Sequence, residues 1–328
     1  MGSVPTLELR DLRAGYSTKK GFVRAVDGVS FRLERGEFLG IAGESGCGKS
    51  TLAYAVMRLL RDNARIESGQ VLFNGTDVAA MPEAGVNALR WTGMAMVFQS
   101  AMSALNPVLS VGEQLTDAVL AHRNATKAEA EAMAVEMLGL VDINADRLRG
   151  YPHQLSGGMK QRVMIAMALI LKPDLLIMDE PTTALDVVVQ RSIIEKIDEL
   201  RRALGFSVVF ITHDLSLLVE ISDSLAIMYA GKICEYGRSR ALFDEPLHPY
   251  TEGLMGSFPT LTGPVVRMGG IEGRAPDLLS PPPGCRFAPR CARAFEGCGR
   301  EDPALRDIGG GRLCACRLRE PGREGGRR

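Results

Sequence analysis

The residues Gly43-Glu44-Ser45-Gly46-Cys47-Gly48-Lys49-Ser50, followed by Thr51, set out a glycine, four residues, then Gly-Lys-Ser. Glycines in such a loop let successive backbone N–H groups converge on phosphate oxygens, and a following helix N-terminus adds partial positive charge there. In this pattern Lys49 reaches the β- and γ-phosphates of a nucleotide and Ser50 holds Mg²⁺. The apolar run Phe38-Leu39-Gly40-Ile41-Ala42 precedes the loop and reads as a buried strand. Leu52-Ala53-Tyr54-Ala55-Val56-Met57 follows it and reads as a helix. Strand, glycine-rich turn and helix start are the context the chemistry needs. The alternative is a glycine-rich turn formed by chance.

A second group of residues could complete such a site. Leu175-Leu176-Ile177-Met178 runs directly into Asp179 and Glu180. An aspartate at the carboxyl end of a buried strand can hold Mg²⁺, commonly through water. The adjacent carboxylate could orient or deprotonate an attacking water. Alone, the pair could equally cap the turn before Pro181. His213 follows the run Val208-Val209-Phe210-Ile211 and could hydrogen-bond a γ-phosphate. Gln99 ends Met94-Ala95-Met96-Val97-Phe98 and could contact Mg²⁺ or water; both residues are otherwise ordinary polar groups at strand ends. Tyr16 could stack on an adenine ring or simply pack at the surface. Leu155-Ser156-Gly157-Gly158-Met159-Lys160-Gln161 opens a helix over 161–171 in the pattern of an anion-binding N-terminus. One phosphate loop does not need a second such element, whereas a site completed by another subunit does.

The elements that must hold these groups are those of an α/β protein. Residues 6–10 and 29–33 alternate like half-buried strands, and 71–73 is a strand ending at the turn Asn74-Gly75. Residues 111–140 are helical in texture, with Ala, Glu, Met and Leu concentrated in 128–140. Continuous apolar strands separated by helices imply a parallel sheet covered on both faces. Residues 225–236 read as a hairpin. After Tyr250 the chain turns to Pro, Gly, Arg and Cys, which places a boundary near residue 255: one domain at 1–255, with a helical part at about 100–165, and a second at 256–328.

The chain has 328 residues, enough for about two domains. Its 39 basic and 39 acidic residues balance, which gives no electrostatic case for a nucleic acid partner. No apolar stretch approaches the ~20 residues that span a bilayer, and the first residues lack a secretory pattern. A soluble, cytoplasmic chain is expected. Seven cysteines in that setting are not a disulfide framework. Five of them lie beyond residue 284. Cys285, Cys291 and Cys298 are separated by five and six residues, and Cys314 and Cys316 follow Gly309-Gly310-Gly311. Four thiolates can hold a [4Fe–4S] cluster or a structural Zn²⁺. The gaps exceed the two to four residues of paired zinc ligands, which favours iron–sulfur; the alternative is a set of free cysteines.

Taken together, the motifs resemble those of the ATP-binding subunit of an ABC transporter, in that family's order. Gly43 to Ser50 is similar to the Walker A motif, Gln99 to the Q-loop and residues 155–161 to the signature. Leu175 to Asp179 is similar to Walker B, Glu180 to the catalytic glutamate, Ala184-Leu185-Asp186 to the D-loop, His213 to the H-loop and Tyr16 to the aromatic A-loop. The resemblance covers residues 6 to about 320. It implies a RecA-like P-loop NTPase core with an antiparallel β subdomain and an α-helical subdomain, and Mg²⁺ held by Ser50, Gln99 and Asp179. It also implies two subunits closed head to tail over two ATP molecules, so that Ser156, Gly157 and Gly158 serve the partner's nucleotide. Phe98-Gln99-Ser100-Ala101-Met102-Ser103-Ala104-Leu105-Asn106-Pro107, His248-Pro249-Tyr250-Thr251-Glu252-Gly253-Leu254 and the tail from Pro283 to Cys291 resemble the oligopeptide and dipeptide importers.

That group also includes importers of nickel, glutathione and some sugars. The resemblance implies two integral-membrane permeases, an extracytoplasmic substrate-binding protein, a second and different ATPase chain, and a place at the cytoplasmic face of the membrane. It further implies a cluster in the Cys-rich C-terminal extension held by Cys285, Cys291, Cys298 and Cys316, the last matching an Ala-Cys pair, with Cys314 as an extra cysteine. A soluble ABC ATPase of DNA repair or translation is the rival reading; the coiled-coil insertion or second nucleotide-binding domain usual there is missing from this sequence. A third reading is a regulatory protein that uses ATP only as a switch, and the paired Glu180 and His213 argue against it.

Overall fold

The computed structural model describes residues 4–99, 104–182, 185–256 and 270–320. In chain order the strands are β1 (Leu7–Thr18), β2 (Gly21–Leu33), β3 (Phe38–Ala42), β4 (Ala64–Phe73), β5 (Thr76–Asp77), β6 (Met94–Val97), β7 (Leu175–Asp179), β8 (Ser207–Ile211), β9 (Ser224–Tyr229), β10 (Lys232–Arg238), β11 (Arg306–Gly309) and β12 (Arg312–Cys314). The helices are α1 (Lys49–Val56), α2 (Glu83–Leu89), α3 (Val111–His122), α4 (Lys127–Leu140), α5 (Gly157–Leu169), α6 (Val187–Leu204), α7 (Leu215–Ile221), α8 (Ser239–Asp244) and α9 (Pro249–Met255). Two compact units are interleaved in sequence: Met1–Glu8, Arg32–Phe38 and Leu72–Thr212 form one, and Leu9–Phe31, Leu39–Val71 and His213–Arg328 the other.

In the first unit β8, β7 and β6 lie side by side and parallel, in the order β8-β7-β6. The register pairs Met94 with Leu175 and Asp179 with Ile211. Every residue of β7 and β8 is buried, which is why both read as unbroken apolar runs rather than alternating ones. Phe38 and Phe210 meet with ring centroids 5.9 Å apart.

Residues 111–140 form two helices, not one. α3 and α4 each begin with a reciprocal cap: Ser110 with Glu113, and Thr126 with Glu129. The second cap restarts the helix after a break at Arg123, whose extended backbone ends α3. Leu115 and Val119 of α3 and Ala130, Ala134 and Leu138 of α4 are buried. α6 starts on the Asp186 carboxylate and stops at Gly205, which takes the left-handed conformation.

In the second unit the order is β11-β12-β10-β9-β3. β3 and β9 are parallel, and β9 turns into β10 through Ala230 and Gly231, both at positive φ. β12 pairs antiparallel with β10, placing Cys314 opposite Glu235. A separate sheet of this unit has the order β2-β1-β4. β1 continues well beyond residues 6–10. Asp11 sits at positive φ and interrupts the apolar alternation, so sequence pattern alone ends the strand early.

Candidate nucleotide site

The loop between β3 and α1 is shaped by backbone clearance. A Cβ on Gly43 would stand 2.1 Å from the Met228 carbonyl oxygen, and one on Gly48 would stand 1.9 Å from that of Ala25. Both glycines also lie at positive φ, 152° and 107°. These positions therefore exclude any side chain. Ser45 and Gly46 are exposed at the tip, Glu44 and Ser50 are half-buried, and Cys47, Gly48 and Lys49 are buried.

Lys49 folds back over the loop. Its Nζ donates to the carbonyl oxygens of Gly43 at 2.7 Å and Glu44 at 3.0 Å. The ammonium is thus held within the loop's concavity. α1 begins at Lys49 with no acidic residue in its first turn, which keeps the positive end of its dipole uncompensated. Burial raises the Cys47 thiol above its ordinary pKa against the pull of Lys49, so this cysteine is a neutral packing group. Tyr16 hydrogen-bonds the Thr51 hydroxyl at 2.9 Å, which fixes the half-buried ring beside the start of α1. A loop of N–H donors, a cation and an aromatic face are the parts needed to hold a purine nucleotide by its phosphates and base.

The carboxylates and the glutamine lie in the other unit. Asp179 ends β7 and is 1% exposed. Glu180 follows at φ 45°, a left-handed conformation uncommon for a non-glycine residue, and its N–H donates to the Ile211 carbonyl at 2.9 Å. Gln99 Nε2 donates to Glu180 Oε2 at 3.1 Å, so the structure brings these two residues together.

Ser156 caps α5 by accepting from the Met159 N–H at 3.3 Å, and α5 therefore starts at Gly157, four residues before the start that the sequence suggests. Ser156 is exposed and Gly157 and Gly158 are half-buried; a Cβ on Gly158 would press to 2.8 Å from Val189. His213 is exposed, directly before Asp214, which caps α7. Of the D-loop residues, Ala184 lies outside the described residues; Asp186 caps α6. Residues 100–103 of the segment after Gln99 also lie outside them.

Sequence reasoning missed several residues that shape these parts. Gln114 is buried on α3 and folds the segment after Gln99: it accepts from the Asn106 N–H and donates to the carbonyls of Asn106, Leu109 and Ser110. The result leaves Val108 76% exposed. Arg290 and Tyr250 bond Glu44, and Tyr229 packs against both of them, a group for which no spacing in the sequence gives a signal.

The cysteines behave differently from the sequence expectation. Among the described residues no three His, Cys, Asp or Glu side chains stand together as a group able to hold a metal ion. The expected [4Fe–4S] or zinc site at Cys285, Cys291, Cys298 and Cys316 is therefore not formed by the side chains as placed. Burial raises the Cys285, Cys291 and Cys316 thiols above their ordinary pKa. Cys316 is pushed up to about 11, first by burial and then by its neighbours Cys285, Cys291 and Cys298. Cys314 is raised by burial and next by Glu235, on which its strand pairs.

A family model described as ABC transporter matches residues 26–183, and one described as Oligopeptide/dipeptide transporter, C-terminal region, matches 234–298. The chain is 46% identical over 312 residues to the oligopeptide transport ATP-binding protein OppD of Salmonella typhimurium, covering 94% of this chain and 92% of that one. It is 46% identical over 300 residues to the dipeptide transport ATP-binding protein DppD of Bacillus subtilis, covering 90% of each. Among solved structures, the dimeric bacterial ABC transporter cassette MJ0796 superposes with a TM-score of 0.64 at 26% identity, over 71% of this chain and 99% of that chain. CbiO1 of Clostridium perfringens, part of the ABC transporter complex CbiONQ, gives the same TM-score and identity over 74% and 91%.

Proposed function

This chain belongs to the ATP-binding proteins of the oligopeptide and dipeptide ABC transporters, and from that membership we propose how its residues do the work. The chain is an ABC-cassette ATPase that powers peptide import. The observation that carries the mechanism is the Gln99–Glu180 contact, because it sets a carboxylate and an amide side by side where an attacking water must be held. ATP binds through the loop at residues 43–51, with Tyr16 beneath the base. Ser50, Asp179 and Gln99 are the residues that would hold Mg²⁺, which neutralises developing phosphate charge when bound. Glu180 orients and deprotonates water, His213 contacts the γ-phosphate, and Ser156, Gly157 and Gly158 serve the nucleotide of a partner subunit. Positioning and charge neutralisation supply most of the rate in phosphoryl transfer.

No helix among the described residues is long and apolar enough to cross a membrane. We assign two permease subunits, an extracytoplasmic binding protein and a second, different ATPase chain as its partners, with this chain at the cytoplasmic face. The exposed Val108 on the Gln114-braced segment supports docking there. Peptides are the cargo named for the relatives; nickel, glutathione or a sugar is the alternative. We divide the chain into a nucleotide-binding domain at 1–255 and an extension at 256–328, of which 257–269 and 321–328 lie outside the described residues. Cys285, Cys291, Cys298 and Cys316 would be the donors for a structural [4Fe–4S] cluster, or zinc, in that extension. Cys316 is near enough to Cys285, Cys291 and Cys298 to feel their charge, which supports that donor set, and thiolate sulfur suits either metal.

The test is co-purification from membranes in mild detergent. Two integral permeases with a second ATPase are expected. Recovery of this chain without membrane partners, under conditions that preserve such complexes, would favour a soluble ABC ATPase.

A further inference from the structure

An acidic residue inside a phosphate-binding loop is an electrostatic problem. Glu44 is the second residue of the loop, and a bare carboxylate there would repel the polyphosphate that the loop receives. Its surroundings answer that problem. The Glu44 carboxylate accepts from Arg290 Nη1 at 2.8 Å, and the Glu44 N–H donates to the Tyr250 hydroxyl at 2.9 Å. The Arg290 side chain is 6% exposed and its fork is fully engaged. Nε donates to the Glu272 carbonyl at 2.8 Å, Nη2 to the Ile271 carbonyl at 3.0 Å, and Nη1 also to the Tyr229 hydroxyl at 3.2 Å. The guanidinium carbon stands 5.7 Å from the centre of the Tyr229 ring. Tyr229 in turn packs on Tyr250 and on Phe287, at centroid distances of 4.6 and 5.3 Å. A guanidinium fixed at four points is pre-organised, and its charge is aimed at one carboxylate. The hydrogen bond to Glu44 is the main cause that raises the Arg290 pKa above its ordinary value.

We propose that Arg290 is a positioning residue for the nucleotide site: the buried counter-ion of Glu44, through which residues 271–290 of the C-terminal region set the affinity of the phosphate loop for ATP. Two consequences follow from the geometry. The ion pair cancels a negative charge beside the phosphates. It also holds the Glu44 peptide, whose carbonyl is one of the two that receive the Lys49 ammonium. The proposal rests on the reading that this loop binds ATP, and wild-type binding of Mg-ATP tests that reading separately.

The experiment titrates the full-length chain with Mg-ATP by calorimetry, for wild type, Arg290→Ala, Arg290→Lys, Glu44→Gln and the double variant Arg290→Ala with Glu44→Gln. Arg290→Ala is expected to raise the ATP Kd about tenfold, because it leaves an uncompensated charge near the polyphosphate. The added Glu44→Gln is expected to recover most of that loss, and the loss is expected to shrink as ionic strength rises. Lost packing alone would show neither recovery nor salt dependence. If Arg290→Ala does not fold, Arg290→Lys and Glu44→Gln carry the test. Arg290→Lys keeps the charge but cannot span the four contacts of the fork, so it is expected to lose some affinity but less than the loss expected for Arg290→Ala. Glu44→Gln, which removes the charge that needs a counter-ion, is expected to flatten the salt dependence of binding. An Arg290→Ala protein that binds ATP like wild type, or one that Glu44→Gln does not rescue, overturns the proposal. So does an Arg290→Lys loss of about tenfold or more, the full effect expected for removing the charge.

Discussion

Gln99 donates a 3.1 Å hydrogen bond to the carboxylate of Glu180, 81 residues further along the chain. Glu180 itself is fixed by a left-handed backbone and by its N–H bond to Ile211. The amide thus steadies the side chain assigned to the attacking water.

Glu180→Gln removes the base and keeps the shape. ATP binding is expected to be retained, while hydrolysis falls at least about a hundredfold. A phosphate-release assay beside nucleotide titration checks this, and near-normal hydrolysis would take Glu180 out of the role. Gln99→Ala, which removes the amide from Glu180 and from the proposed Mg²⁺ site but keeps the base, is expected to cost about tenfold in kcat, less than the loss of the base.

Gly48→Ala puts a Cβ 1.9 Å from a backbone oxygen at a φ of 107°. Neither the carbonyl of Ala25 nor the loop can yield without reshaping the phosphate site. A loss of more than about 2 kcal/mol in unfolding free energy is expected, together with loss of ATP binding. Denaturant unfolding with a parallel ATP titration would measure both; a variant as stable as wild type would mean the loop is softer than its packing indicates.

His248 is 2% exposed, and its Nδ1 accepts from the Tyr250 N–H at 3.0 Å. Burial, with a smaller push from Arg293, lowers its pKa from 6.5 to about 4, against a backbone hydrogen bond to Ala315. The folded state therefore disfavours the proton that the unfolded chain accepts. Stability from this group is fully present above pH 6.5 and is lost as pH falls toward 4, by about 3 kcal/mol at about 1.36 kcal/mol per pH unit. Urea midpoints between pH 7 and 4.5 are expected to fall more steeply for wild type than for His248→Asn. Equal slopes would show that His248 does not govern acid sensitivity.

Metal analysis of the anaerobically purified protein addresses the cysteines. Cys285→Ser, Cys291→Ser, Cys298→Ser and Cys316→Ser are each expected to lose bound iron or zinc, and Cys314→Ser to keep it, since Cys314 pairs its strand on Glu235. Loss on Cys314→Ser with retention on Cys316→Ser would reverse the assignment. Wild type free of both metals would remove the cluster.

What the sequence discloses follows from how local each feature is. The phosphate loop is legible because Gly43, Gly48 and Lys49 do their work within eight residues, and backbone clearance dictates their types. β7 and β8 are legible because burial along their whole length makes 175–178 and 208–211 continuous apolar runs. The two-helix structure of 111–140 is less so, since its break depends on the Thr126–Glu129 cap inside a uniformly helical composition. Arg290 on Glu44 is not legible at all: the partners are 246 residues apart, and an arginine between two cysteines carries no mark of the loop it meets. Gln114 is hidden for the same reason, a polar residue on a helix whose partners are backbone groups of the preceding segment.

The most direct test of the chain as a peptide-import motor is uptake of a radiolabelled peptide by cells deleted for this chain and complemented with wild type or Glu180→Gln. Uptake restored by wild type and not by Glu180→Gln, both present at equal levels in the membrane fraction, is the expected result. Uptake that is the same with wild type, with Glu180→Gln and with no complementing chain would contradict it.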